Sequence, residues 1–236
     1  MAAITGIDGS VTFAAGYTTN AHAWRINDGG DLPDVTPFAP AGNAVVRVAG
    51  IGDWSGEYRC WEQATAATGV TMAGGYYTTN AHSFTLELTC ADLLTTPFGA
   101  DYNTRVGGLI SATGGYDCYL DSVTPLPQRG SSDTLTLTIG AGETYDIPIY
   151  VGSVEARGSA SGDDRHVTVN WESRGDITET AVPIIGVTGA AEFVAEGARK
   201  YTGNILINRI GINMTYAREA AEWTFGFAGN GDLTAA

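Results

Sequence analysis

Thr134-Leu135-Thr136-Leu137-Thr138-Ile139 alternates polar and apolar residues without a fault. A period of two puts every apolar side chain on one face of an extended chain, so the stretch reads as a half-buried β-strand. His166-Val167-Thr168-Val169-Asn170-Trp171 repeats the alternation, and Glu222-Trp223-Thr224-Phe225-Gly226-Phe227 does so with aromatics. Asn204-Ile205-Leu206-Ile207-Asn208 is a continuous apolar run, which fits a strand covered on both faces. Turn-forming clusters punctuate these runs: Asn27-Asp28-Gly29-Gly30, Pro40-Ala41-Gly42-Asn43, Pro125-Leu126-Pro127 and Gly229-Asn230-Gly231. The best helical candidate is residues 190–200, with Phe193 and Val194 on one side, and Gly197 keeps it short. Short strands separated by turn signals predict an all-β fold, a sandwich or barrel, with at most one short helix per domain.

The chain also resembles itself. Gly16-Tyr17-Thr18-Thr19-Asn20-Ala21-His22 recurs as Gly75-Tyr76-Tyr77-Thr78-Thr79-Asn80-Ala81-His82. Trp24 then falls on Phe84, Ile26 on Leu86 and Thr36-Pro37-Phe38 on Thr96-Pro97-Phe98, and after a two-residue slip Gly56 through Trp61 falls on Gly114 through Tyr119. A fainter repeat carries Tyr145 onto Tyr201 and runs without gaps, so that Val167, Val169 and Trp171 fall on Trp223, Phe225 and Phe227. The half-units therefore read N (1–63), N (64–122), C (126–179), C (182–236). That order predicts an outer domain of residues 1–63 plus 182–236, with a duplicate inserted as residues 64–180. A swapped pairing, in which each N half closes with the other C half, is the alternative.

At 236 residues the chain can bury a core without staples. It carries 32 Gly, and its formal net charge is −14. A single Lys, Lys200, stands among twelve Lys and Arg in all. An anionic surface argues against a phosphate-neutralising grip on nucleic acid and against docking on an anionic membrane. Cys60, Cys90 and Cys118 are too few and too far apart for a disulfide framework or a metal clip, and read as buried thiols of a protein made in a reducing compartment. No targeting segment and no membrane-spanning run is read.

Motifs for catalysis are lacking. His22 and His82 are repeat-equivalent and His166 stands alone, without metal-ligand spacing. Ser55 and the run Gly158-Ser159-Ala160-Ser161-Gly162 miss the nucleophile-elbow spacing. Asp163-Asp164 beside Arg165 reads as solvated charge, and Asn27-Asp28-Gly29-Gly30-Asp31 lacks the register of a calcium loop. Trp54, Trp61, Trp171 and Trp223 could form a sugar-stacking platform, but their alternating positions read as core. No catalytic residue, cofactor or metal site is expected.

The opening Ile4-Thr5-Gly6-Ile7-Asp8-Gly9-Ser10-Val11-Thr12-Phe13, with Thr19-Asn20-Ala21-His22-Ala23-Trp24, Asp34-Val35-Thr36-Pro37-Phe38 and Trp54-Ser55-Gly56-Glu57-Tyr58, resembles the N-terminal half of tail tube proteins of long-tailed bacteriophages. Tyr201-Thr202-Gly203-Asn204-Ile205-Leu206-Ile207, Trp223-Thr224-Phe225-Gly226-Phe227 and Gly229-Asn230-Gly231-Asp232-Leu233-Thr234 resemble that family's C-terminal half. The resemblance covers the outer domain directly and the inserted one through the internal repeat. Its motif residues are Gly9, Trp24, Phe38, Trp54, Ser55, Gly56, Tyr58, Gly203, Trp223, Phe225, Phe227, Gly229 and Gly231.

The resemblance implies a β-barrel or sandwich with a flanking helix, and homo-oligomeric rings stacked into a hollow virion tail tube. It implies partners too: further copies of the chain, the tape measure, baseplate and tail terminator proteins, and genomic DNA passing without specific binding. Synthesis would be in the host cytoplasm. Family members carry one such domain, so two domains leave open three chains with six barrels or six chains per ring. The alternatives are a baseplate or decoration protein of the same lineage and a glycan- or receptor-binding β-sandwich, with an enzyme third.

Overall fold

The alternating runs become extended backbone in a computed structural model of the chain, which describes residues 3–7, 10–14, 21–30, 51–62, 69–75, 78, 81–119, 125–140, 142–158, 165–195, 199–215 and 221–236. The first strands are β1 (Ala3–Ile7), β2 (Ser10–Phe13), β3 (Ala21–Gly30), β4 (Gly52–Glu62), β5 (Gly69–Met72), β6 (Ala81–Leu94) and β7 (Arg105–Tyr119). They are followed by β8 (Ser132–Gly140), β9 (Glu143–Arg157), β10 (His166–Ser173), β11 (Thr178–Thr180), β12 (Thr188–Val194), β13 (Lys200–Thr215) and β14 (Ala221–Ala235). The fold is all-β, as expected, and every described strand belongs to one large antiparallel sheet.

The strands run in the order β1-β3-β4-β14-β13-β6-β7-β10-β9-β8-β5, with β11 beside β9 and β12 joining β13 to β2. Two similar units emerge, β2-β12-β13-β14-β4-β3 and β5-β8-β9-β10-β7-β6, and they meet edge to edge where β13 pairs with β6. The first N-type segment thus pairs with the last C-type segment (Phe225 opposite Tyr58), and the second with the first (Val169 opposite Tyr116).

Equivalence extends to the irregularities. Ala21 and Ala81 pair with Cys60 and Cys118, and in both strands the next residue, His22 or His82, is left out of register. A second bulge leaves Gly152 out of the β9·β10 ladder and Asn208 out of β13·β14, at positions related by the offset that carries Tyr145 onto Tyr201. Bulges set local twist, so shared bulges make the two units bend alike. Even the close packing is shared. A Cβ on Gly56 would stand 2.1 Å from Arg25 O and 2.5 Å from the Phe227 ring, while one on Gly114 would stand 2.2 Å from Thr85 O and 2.6 Å from Trp171.

The core is continuous and aromatic in the first unit, with Trp24, Trp54, Tyr58, Phe193, Trp223, Phe225 and Phe227 all buried. Burial of each such side chain stabilises by roughly 1.5–3 kcal/mol, which fixes register because a one-residue slip would expose the whole set. Residues 205–207 are buried in succession, as the unbroken apolar run requires.

Three sequence expectations are corrected. The helix expected over residues 190–200 is absent from its described part: residues 190–194 belong to β12, where Ala191 and Phe193 alternate inward and pair with Phe13 and Val11. No helix occurs among the described residues. Asn27 through Gly30 form the end of β3, paired with β4, and not a turn. Gly229-Asn230-Gly231 likewise lies within β14, as an interruption of its ladder with β13. Gly9, Phe38, the Pro40 cluster and most of the 158–164 segment lie outside the described residues.

Candidate functional site

Four of the motif residues, Gly203, Phe227, Gly229 and Gly231, converge on the indole of Trp54. Its Nε1 donates to Gly231 O at 2.8 Å, and Phe227 meets the ring edge-on at 5.9 Å between centroids. Two glycines let the backbone reach it: a Cβ on Gly203 would stand 2.6 Å from Cζ2, and one on Gly229 2.3 Å from Nε1. Gly231 has φ +102°, a conformation that side chains with a Cβ avoid. Tyr58 stacks on Phe225 at 4.7 Å, and Phe225 on Trp223 at 5.8 Å. The Tyr58 hydroxyl is buried without a hydrogen-bond partner among the described residues, and burial pushes its pKa up. Trp24 lies apart from this cluster, against Phe193, and donates to Val194 O at 3.2 Å. Ser55 is exposed on β4. These residues hold one unit together from both ends of the chain, and what they build is a rigid scaffold.

The surfaces of that scaffold are of two kinds. Across β3, β4, β14, β13, β6, β7, β10 and β9, the face opposite the core carries small or polar residues (Thr85, Thr113, Gly115, Thr168, Asn170, Gly211, Thr224 and Gly226 among them) and a band of charge. Its arginines sit beside glutamates. Arg209 Nε lies 2.9 Å from Glu87 Oε1 across the β13·β6 junction, and Arg157 Nε 2.9 Å from Glu155 Oε1. Arg59 lies 3.6 Å from Glu57 and 3.7 Å from Glu222, and Arg25 reaches Glu57 at 4.0 Å. Such exposed pairs add little stability, but they cancel charge locally.

The second surface is the arm formed by the far ends of β6 and β7. Leu93, Leu94, Phe98, Val106, Leu109 and Ile110 are exposed there, with Leu109 at 88%. Apolar side chains clustered on an exposed hairpin mark a contact surface.

Arg105 anchors the far end of this arm, where it stands opposite Leu94 beside the connecting loop. It is the buried charged side chain among the described residues, with Nη1 and Nη2 bound to the two oxygens of Asp53 at 2.7 and 2.9 Å. Nη1 also donates to Gly229 O at 3.0 Å, Nε lies 3.1 Å from Asp92, and its backbone N–H donates to Asn230 Oδ1 at 2.7 Å. The bidentate bond from Arg105 holds the Asp53 carboxyl below its ordinary pKa against the opposing effect of burial. One residue thereby fastens β7 to β4 and β14 of the other unit. Sequence reasoning did not single out Arg105 or the arm, because Asp53 and Gly229 are remote in the chain.

The bulges place His22 and His82. His22 stacks on Trp61 at 4.7 Å and lies 3.8 Å from Glu222, while His82 stacks on Tyr119 at 4.5 Å and meets His166 edge-on at 5.3 Å. Trp54, Trp171 and Trp223 are buried, so they form no exposed platform; Trp61 is exposed beside His22. Cys60, Cys90 and Cys118 are buried, and no disulfide joins them. Among the described residues no three His, Cys, Asp or Glu stand together as metal ligands, and no helix is long and apolar enough to cross a membrane. No protein-family model matches the chain, and no curated protein matches it.

Proposed function

We propose that this chain is the subunit of a phage-type tail tube, a structural virion protein whose rings stack into a hollow conduit for DNA. The observation that carries the reading is the edge-to-edge junction of two equivalent units through β13 and β6, which sets them side by side in one sheet. Units joined this way are two consecutive members of a wall. Three chains, each supplying the outer unit (1–63 plus 182–236) and the inserted unit (64–180), close a ring of six barrels.

The wide polar face supports a lumen-lining role. A conduit for a polyanion works when DNA slides, and affinity for DNA scales with unpaired Lys and Arg that release counterions. Here Arg25, Arg59, Arg157 and Arg209, the described arginines of the band, each have a glutamate within 4.0 Å, on a chain of net charge −14. The exposed apolar arm is the contact between stacked rings. Tape measure, baseplate and terminator proteins are the partners at the tube's ends, and no cofactor takes part. The experiment is electron microscopy of the purified protein at rising concentration: stacked rings with an open axial channel are the expected outcome, and solid or closed particles would refute the reading.

A further inference from the structure

The β13·β6 junction has a counterpart that one chain cannot make with itself. It pairs residues 209–215 with residues 89–83, from Arg209 opposite Thr89 to Thr215 opposite Ser83. Carried through the two repeats, the same contact pairs residues 153–159 with residues 29–23. Among the described residues these segments do not meet within the chain. β9 pairs with β10 along residues 153–157 and, among the described residues, carries no strand on its other edge there. On β13 that same edge is the one filled by β6.

The β3 edge is not empty. β1 lies on it antiparallel, from Ala3 opposite Asn27 to Ile7 opposite Ala23. On the equivalent edge of β6, Gly211 through Thr215 run in the same direction, from Gly211 opposite Glu87 to Thr215 opposite Ser83. The match is position for position: Ile4 opposite Ile26 stands where Ile212 stands opposite Leu86. β1 thus reproduces five of the seven pairs of the junction and leaves out those of Arg209 and Ile210.

We propose that β1 is a self-supplied stand-in that caps the β3 edge of the free chain, and that the open edge of β9 from a second copy of this chain displaces it. The incoming strand runs antiparallel to β3, with Glu155 of one copy opposite Asn27 of the other. Capping an edge that would otherwise template pairing keeps free chains apart. Exchange of a shorter ladder for a longer one of the same direction favours association without requiring a new fold. The interface is head to tail, so it leaves one edge open at each end until a ring closes. The inference deepens the tube reading by naming the contact between chains, and it rests on that reading only for the premise that the chain self-associates.

The test locks the cap. Thr5 and Arg25 are opposite one another, so T5C/R25C allows a disulfide that holds β1 on β3. Sedimentation of the oxidised and the reduced variant should show that oxidation raises the concentration needed for association by roughly tenfold or more, and that reductant restores it. Equal association of the two forms, or none by the reduced form, would overturn the proposal. A second variant, N27C/E155C, should give a ladder of cross-linked chains on oxidation, while N27C and E155C alone give none. Cross-linking in either single variant, or no ladder from the double variant under conditions of association, would contradict the pairing. Tubes formed equally by locked and unlocked chains would sink the cap and leave the tube reading intact. Cap-dependent association into particles other than tubes would do the reverse.

Discussion

Gly229 lies so close to Trp54 that a Cβ there would stand 2.3 Å from the indole Nε1. The two residues are far apart in sequence, and their contact closes the first unit from both ends of the chain. Gly229→Ala forces the ring or the β14 backbone to move, which overpacking data put at about 1–3 kcal/mol. Gly211→Ala meets nothing nearer than 3.8 Å and should change stability by less than about 0.5 kcal/mol. Equilibrium denaturation of both variants measures the difference.

Arg105 should tolerate replacement poorly. Arg105→Met removes the anchor and leaves Asp53 without its cation; because the Asp53 side chain is 44% exposed, the loss falls below that of a fully buried pair, at about 2 kcal/mol. The same clamp gives a pH signature. The folded-state pKa of Asp53 is lowered from 3.8, so its contribution is present above that value and is lost as pH falls through the folded value. The stability gap between the native chain and Asp53→Asn should hold steady from about pH 7 to 5 and shrink below about pH 4.

The equivalent positions 171 and 227 should respond differently. Trp171 Nε1 is buried without a hydrogen-bond partner among the described residues, whereas Phe227 in the other unit has no such group to satisfy. Trp171→Phe relieves the orphaned donor while giving up some packing, and should fall within about 1 kcal/mol of the native chain. Phe227→Ala empties the contact over Gly56 and with Trp54, and should cost about 3–5 kcal/mol. Thermal unfolding of the two variants decides.

The arm offers a test on assembly alone. Leu109→Asp lies on an 88% exposed side chain, so chain stability should move by less than about 0.5 kcal/mol. Tubes should shorten toward single rings, as counted by electron microscopy. Tubes of native length would separate the arm from ring stacking.

Much of the sheet was legible because burial imposes a period of two, plain in 134–139 and in the aromatic alternation of β14. The internal repeat was legible for the same reason, since equivalent positions meet the same apolar neighbours. The helix misreading at 190–200 came from a run of Ala, Glu, Arg and Lys, whose local helix propensity tertiary pairing overrode. The correcting signal was already present: the offset carrying Tyr145 onto Tyr201 lays β12 on β8, whose alternation is faultless. Glycines at 29, 30, 229 and 231 read as turns, yet all four lie in strands: 29 and 30 pair with β4, 229 makes room for Trp54, and 231 adopts a positive φ. Arg105 left no local trace, because its partners Asp53, Asp92 and Gly229 meet it only through the fold.

The central claim is that the sheet spanning β3 to β9 is a segment of a continuous tube wall whose polar face encloses the channel. Electron cryomicroscopy of the assembled protein tests it most directly. The account predicts hollow tubes whose rings contain six similar β units from three chains, with Arg209 and Glu87 facing the lumen. Tubes in which that face points outward, or an assembly without a channel, would contradict it.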